Sequence, residues 1–128
     1  MGWIDLGQDT DTEWWNSERV DAMERAVLGA LLTVGELTAT VEKIIDPEDF
    51  KLESHQMIFR AIKRVFDNCA PDLVLVAHEL DKQGQMEKIG AAYLSMLVDR
   101  VPAVDSATGY AKEIKACAVM RRVKRQSK

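Results

Sequence analysis

The chain has 128 residues, 47% of them hydrophobic and 30% charged, enough for one globular domain with a real core and unlike the composition of a disordered segment. Its net charge of −4 hides an asymmetry: residues 1–18 carry five acids and no base, whereas residues 112–128 carry seven bases and one acid. A globally acidic protein is a poor general nucleic-acid binder, so only the C-terminal segment offers the local positive potential that phosphates require.

The N-terminus, MGWIDLGQDTDTE, has neither the basic nor the apolar region of a secretion signal. The longest apolar run, AVLGALLTV over 26–34, is far short of the ~20 residues that cross a bilayer. Cytoplasm, with no membrane contact, is the default. Residues 1–16 read as a flexible acidic leader, with Trp14 and Trp15 as anchors onto the body.

After the leader nearly everything has helical period. In SERVDAMERAVLGALL and just beyond it, Val20, Met23, Val27, Leu31 and Val34 follow the 3.6-residue repeat, and Leu28 and Leu32 widen the stripe. Thr33 and Glu36 have capping-box spacing, which predicts a second helix from about Gly35 that buries Leu37, Val41 and Ile44. DPEDF, with an N-cap Asp46 and Pro47 behind it, predicts a single turn.

SHQMIFRAIKRVFDN places Ile58, Phe59, Ile62, Val65 and Phe66 on one helical face. Pro71 and Asp72 break that helix and cap the next, in which Leu73, Val76, Ala77 and Leu80 share a face until Gly84 ends it. Ala92, Leu94, Leu97, Val98 and Val101 mark a fifth helix, stopped by Pro102. Asp105 or Ser106 caps a sixth, with Tyr110, Ile114, Cys117 and Arg121 along one line. The expected fold is all-α, a compact five- to six-helix head followed by one long helix.

Motifs of catalysis are missing. The nearest thing to a phosphate loop, Gly84 and Gly90, lacks the following Lys, and neither GxSxG nor HExxH occurs. Cys69 and Cys117 are far apart and read as reduced, buried thiols in a chain without a metal site. The acids Glu48 and Asp49 read as a solvated cap, His55 as a surface or half-buried structural histidine, and His78 as exposed. These features describe a binding module rather than an enzyme.

The basic end, Arg121, Arg122, Lys124, Arg125 and Lys128, admits three readings. It complements a helix dipole, forms a partner interface, or contacts DNA directly; no aromatic interleaves the bases to stack on nucleobases. The stripe of Tyr110, Ile114, Cys117 and Arg121 is the candidate partner or oligomer interface, and Arg122, Lys124 and Arg125 are the candidate basic contacts.

Taken in order, ERAVLGALL, DPEDF, HQMIFRAI, PDLVLVAHEL with DKQGQME, GAAYLSML and VPAVDSATGYAKEI resemble the N-terminal domain of DnaB-type replicative DNA helicases, over about residues 17–123. Each segment alone is only core residues and caps; six in order are specific. The resemblance implies a head over 17–103 and, over 104–128, the first arm of a long helical hairpin. It also implies a collar role in DNA replication: self-association as a dimer or higher through the last helix, docking of the primase C-terminal domain, and docking of a helicase loader or regulator. DNA would be met only indirectly. This domain would hold no cofactor, ATP and Mg belonging to the motor domain of a longer parent.

An alternative is a stand-alone mimic of the helicase head that binds and regulates the helicase or primase. The long arm, lacking its return, is expected to pair with its counterpart on another copy or to fray. Three positions depart from the family pattern: Ile89 replaces the first of two adjacent glycines, Leu75 replaces a common Thr, and one residue is missing between Pro71 and Asp72.

Overall fold

A computed structural model describes residues 13–100 and 104–126. Those residues form seven α-helices: α1 (Glu18–Thr33), α2 (Thr38–Val41), α3 (Glu53–Phe66), α4 (Leu73–Lys82), α5 (Met86–Ile89), α6 (Ala91–Asp99) and α7 (Ala107–Gln126). Short 3-10 turns at Trp14–Asn16, Gly35–Leu37, Pro47–Asp49 and Val104–Ser106 connect or precede them. No described helix is long and apolar enough to cross a membrane.

Helix α1 is the centre of the packing, lying against α7, α6 and α3, while α3 carries α4 on its other side. Its buried residues Val20, Val27, Leu28 and Leu31 recur at helical spacing and meet Ile58, Phe59 and Ile62 of α3 in one apolar cluster. Glu18 and Asp21 occupy the first turn, where acids favour the positive end of the dipole. The cluster continues through Val76 and Leu80 of α4 and Leu94 and Leu97 of α6, as their spacing predicts.

The capping box expected at Thr33 is not there. Thr33 is the last helical residue of α1, and its hydroxyl donates back to the Gly29 carbonyl at 2.7 Å instead of accepting from the next segment. The chain still turns at Gly35, where the Pro71 backbone packs too close to leave room for a Cβ. The reciprocal capping bond occurs at DPEDF, where the Asp46 N–H donates to Asp49 Oδ2 at 2.8 Å. Asp72 caps α4 as expected, accepting from the Leu75 N–H at 2.8 Å. Gly84, at φ 70°, ends it, letting the Gln85 N–H reach back to the Leu80 carbonyl. The single turn α5 carries too few residues for a period to show.

Candidate interaction site

Helix α7 has 20 residues and two very different halves. Ala107, Ala111, Ile114, Cys117 and Ala118 are all buried, and the small alanines let α7 lie close along α1. Ile114 and Ala111 belong to the same apolar cluster as the head helices. The expectation that this stripe waits for a second copy or frays is therefore corrected at Ile114 and Cys117: the chain's own α1 covers them. Tyr110 is half-buried, packed against the same cluster.

The basic end is held by the head as well. Asp49 is fully buried, not a solvated cap, and its carboxylate accepts from Arg122 Nη2 at 2.6 Å and from Lys115 Nζ at 3.1 Å. Arg121 Nη2 donates to the Asp49 carbonyl at 2.8 Å and Nη1 to the Trp15 carbonyl at 3.3 Å. Burial alone would raise the Asp49 carboxyl. The Asp46 N–H, Arg122 and Lys115 outweigh it and bring the group below its ordinary range. Burial also lowers the Arg121 guanidinium, an effect that nearby Glu24 opposes.

Trp15 is half-buried where its turn meets α7, and Trp14 stays exposed, so one of the two expected anchors sits against the body. Residues 1–12 of the leader and the predicted helix end at Val101 and Pro102 lie outside the described residues. Lys124 and Arg125 are exposed on the last turns of α7. Beside them Val119 and Val123 are 44% and 50% exposed, and with Ala116 they follow an i, i+3, i+7 seam.

A polar network that the sequence did not suggest crosses the core. Glu24 and His55 are both fully buried, although His55 was expected at or near the surface. His55 Nδ1 lies 2.7 Å from Glu24 Oε1, and Nε2 lies 2.6 Å from the Tyr93 hydroxyl. One proton arrangement satisfies every atom: Tyr93 O–H donates to Nε2 and Nδ1–H donates to the carboxylate. The Lys51 N–H donates to the other oxygen, Glu24 Oε2, at 2.5 Å. Burial pushes the Tyr93 phenol up, against the pull of neighbouring Arg25. The network ties α1, α3 and α6 together without opening to solvent at its centre.

Cys69 is exposed and Cys117 buried, so only one of the two thiols is in the core as expected. Burial and then Glu113 raise the Cys117 thiol, which disfavours its reactive thiolate. His78 is exposed, as its position among acids suggested. Among the described residues no cluster of His, Cys, Asp and Glu has the makings of a metal site.

Residues 17–116 match the family model of the DnaB-like helicase N terminal domain. The chain is 41% identical over 102 residues to the replicative DNA helicase DnaB of Geobacillus stearothermophilus, covering 78% of this chain and 22% of that protein. It is 40% identical over 94 residues to the replicative DNA helicase DnaB of Rhodothermus marinus, covering 72% of this chain and 10% of that one. The chain thus spans about a fifth or less of the length of these curated relatives.

Among solved structures, the N-terminal domain of DnaB helicase from Mycobacterium tuberculosis superposes with a TM-score of 0.77 at 36% identity, over 81% of this chain and 77% of that one. The N-terminal domain of DnaB helicase from Helicobacter pylori, described together with its interactions with primase, gives 0.74 at 19% identity, over 86% and 87%. The second is a likeness of fold alone.

Proposed function

The chain belongs to the DnaB-like helicase N-terminal domain family, and from that premise we propose that it is an interaction domain of a replicative DNA helicase, associating with copies of itself and docking primase or a helicase loader. The observation that carries this reading is the family match over residues 17–116, which takes in α1 to α6 and the inner half of α7. Unwinding and ATP hydrolysis would reside in other parts of the helicase, where ATP and Mg would also bind.

The geometry supports a binding role in a specific way. The inner half of α7 is locked onto α1, and the Asp49 carboxylate holds the helix again at Arg122. Such double anchoring presents Val119 and Val123 outward from a rigid helix rather than from a fraying one, which lowers the entropy lost when a second helix packs on them. A second copy of α7 is the occupant proposed for this seam. Direct DNA contact is disfavoured, since Arg121 and Arg122 already bind backbone and carboxylate within the chain.

The docking half of the reading is tested by titrating the cognate primase C-terminal domain into the chain by calorimetry. Saturable binding at micromolar affinity or tighter is expected. Absence of heat and of any co-migrating complex at ~100 µM, well above that range, would remove primase from the reading.

A further inference from the structure

A cleft of about 590 Å³ opens between α1, α6 and the first turns of α7, away from Val119, Val123 and the basic end. Its inner lining is apolar: Met23 and Ala26 from α1, Met96 and the fully buried Leu97 from α6. Tyr110 forms the wall contributed by α7. The two methionines are unbranched and adaptable, the kind of side chain that moulds itself around an inserted group. The volume is that of a ligand site rather than a packing defect.

Three arginines, Arg19, Arg25 and Arg100, also line this cleft, and among the described residues no acid does. Arg25 sits beside the Tyr93 hydroxyl, whereas Arg19 and Arg100 are exposed and make no ion pair among the described residues. Guanidinium groups pair with carboxylates through two parallel hydrogen bonds, a geometry that lysines do not offer. On a chain of net charge −4, such an arginine-lined patch is a local exception that draws an acidic partner to one place.

We propose that this cleft docks an acidic peptide segment of a partner protein, which inserts one bulky apolar side chain onto Met23, Met96 and Leu97 and sets its flanking carboxylates on Arg19 and Arg100. A nucleic-acid backbone fits less well: three cations around an apolar floor offer few phosphate contacts, and the floor itself gives a phosphate backbone nothing to bind. This role is separate from the contacts proposed for the outer half of α7.

The test is a titration of the full chain, carrying ¹³C-methyl methionine, with a synthetic peptide that has one Trp flanked on both sides by Glu. The Met23 and Met96 methyl signals should move saturably, and the binding should weaken about tenfold or more in the double variant Arg19→Glu/Arg100→Glu. The same peptide with Lys in place of Glu should leave both signals still. The double variant changes two exposed side chains, and unmoved methyl signals elsewhere would verify its fold.

Five results would overturn the proposal. The acidic peptide leaves both methyl groups unmoved, or the Lys peptide moves them equally. The signals move with protein concentration in the absence of peptide, which assigns the cleft to a second copy. They move on Trp3→Ala alone, which assigns it to the chain's own N-terminal segment. They respond to a short duplex DNA and not to the peptide, which assigns it to nucleic acid.

Discussion

Arg122, near the C-terminal end of α7, donates to the carboxylate of Asp49 at 2.6 Å across 73 residues of sequence. Asp49 is fully buried while the Arg122 side chain is 42% exposed, so the acid is the fixed member of the pair. With Lys115 on the same carboxylate, α7 is pinned to the turn after α2 at two points about two helical turns apart.

Replacing Asp49 with Asn should therefore loosen the outer half of α7 first. The expected cost is about 1–3 kcal/mol, the range for disturbing a buried polar group, toward the low end because both cations remain partly hydrated. Urea unfolding measures the loss, and amide exchange should show it concentrated beyond Cys117.

The same carboxylate sets an acid limit on stability. Its folded pKa lies below the ordinary 3.8, so its contribution is fully present above that value. It is lost as pH falls through the lowered folded value. Wild type should lose stability below about pH 4 more steeply than Asp49→Asn, and parallel curves for the two would contradict the assignment.

In the core network the middle residue outweighs the Tyr93 end. Tyr93→Phe removes only the hydroxyl partner of His55 and should cost about 1 kcal/mol. His55→Leu removes both bonds and leaves Glu24 Oε1 facing an apolar side chain, which should cost about 2–4 kcal/mol. Chemical denaturation should give that order; a Tyr93 variant more damaging than the His55 variant would break it.

Gly35 answers to space. A Cβ there meets the Pro71 carbonyl oxygen at 2.2 Å and Pro71 N at 2.8 Å, and backbone atoms do not swing aside as a flexible side chain would. Gly35→Ala should destabilise by about 1–3 kcal/mol, as overpacking does, with a lower melting temperature as the readout.

Much of the fold was legible because helical period is a local property. The faces containing Ile58, Phe59 and Ile62, or Leu94 and Leu97, are buried where their spacing placed them. The cap at Asp72 is equally local and also appears, and the DPEDF turn is closed by the Asp46 N–H donating to Asp49. Glu24 and His55 were not legible: they are 31 residues apart, and a lone acid on an apolar stripe does not announce its partner. Asp49 was misread for the same reason, since its cations come from α7.

The stripe on α7 illustrates a different limit. Periodicity showed that Ile114 and Cys117 need a covering surface but not whose, and α1 of the same chain supplies it. The exposed Val119 and Val123 lie one face over, among basic residues whose charge masks the short apolar seam. The arginine-lined cleft left no signal at all, because Arg19, Arg25 and Arg100 converge only when α1 and α6 pack.

The most direct test of the account is sedimentation equilibrium on the chain and on Val119→Glu/Val123→Glu, which alters two exposed positions and leaves the α1–α7 contact intact. The wild type should associate with rising concentration and the variant should stay monomeric, both with the same helical content. A wild type that remains monomeric up to high micromolar concentration, or a variant that associates equally well, would contradict self-association through the outer half of α7.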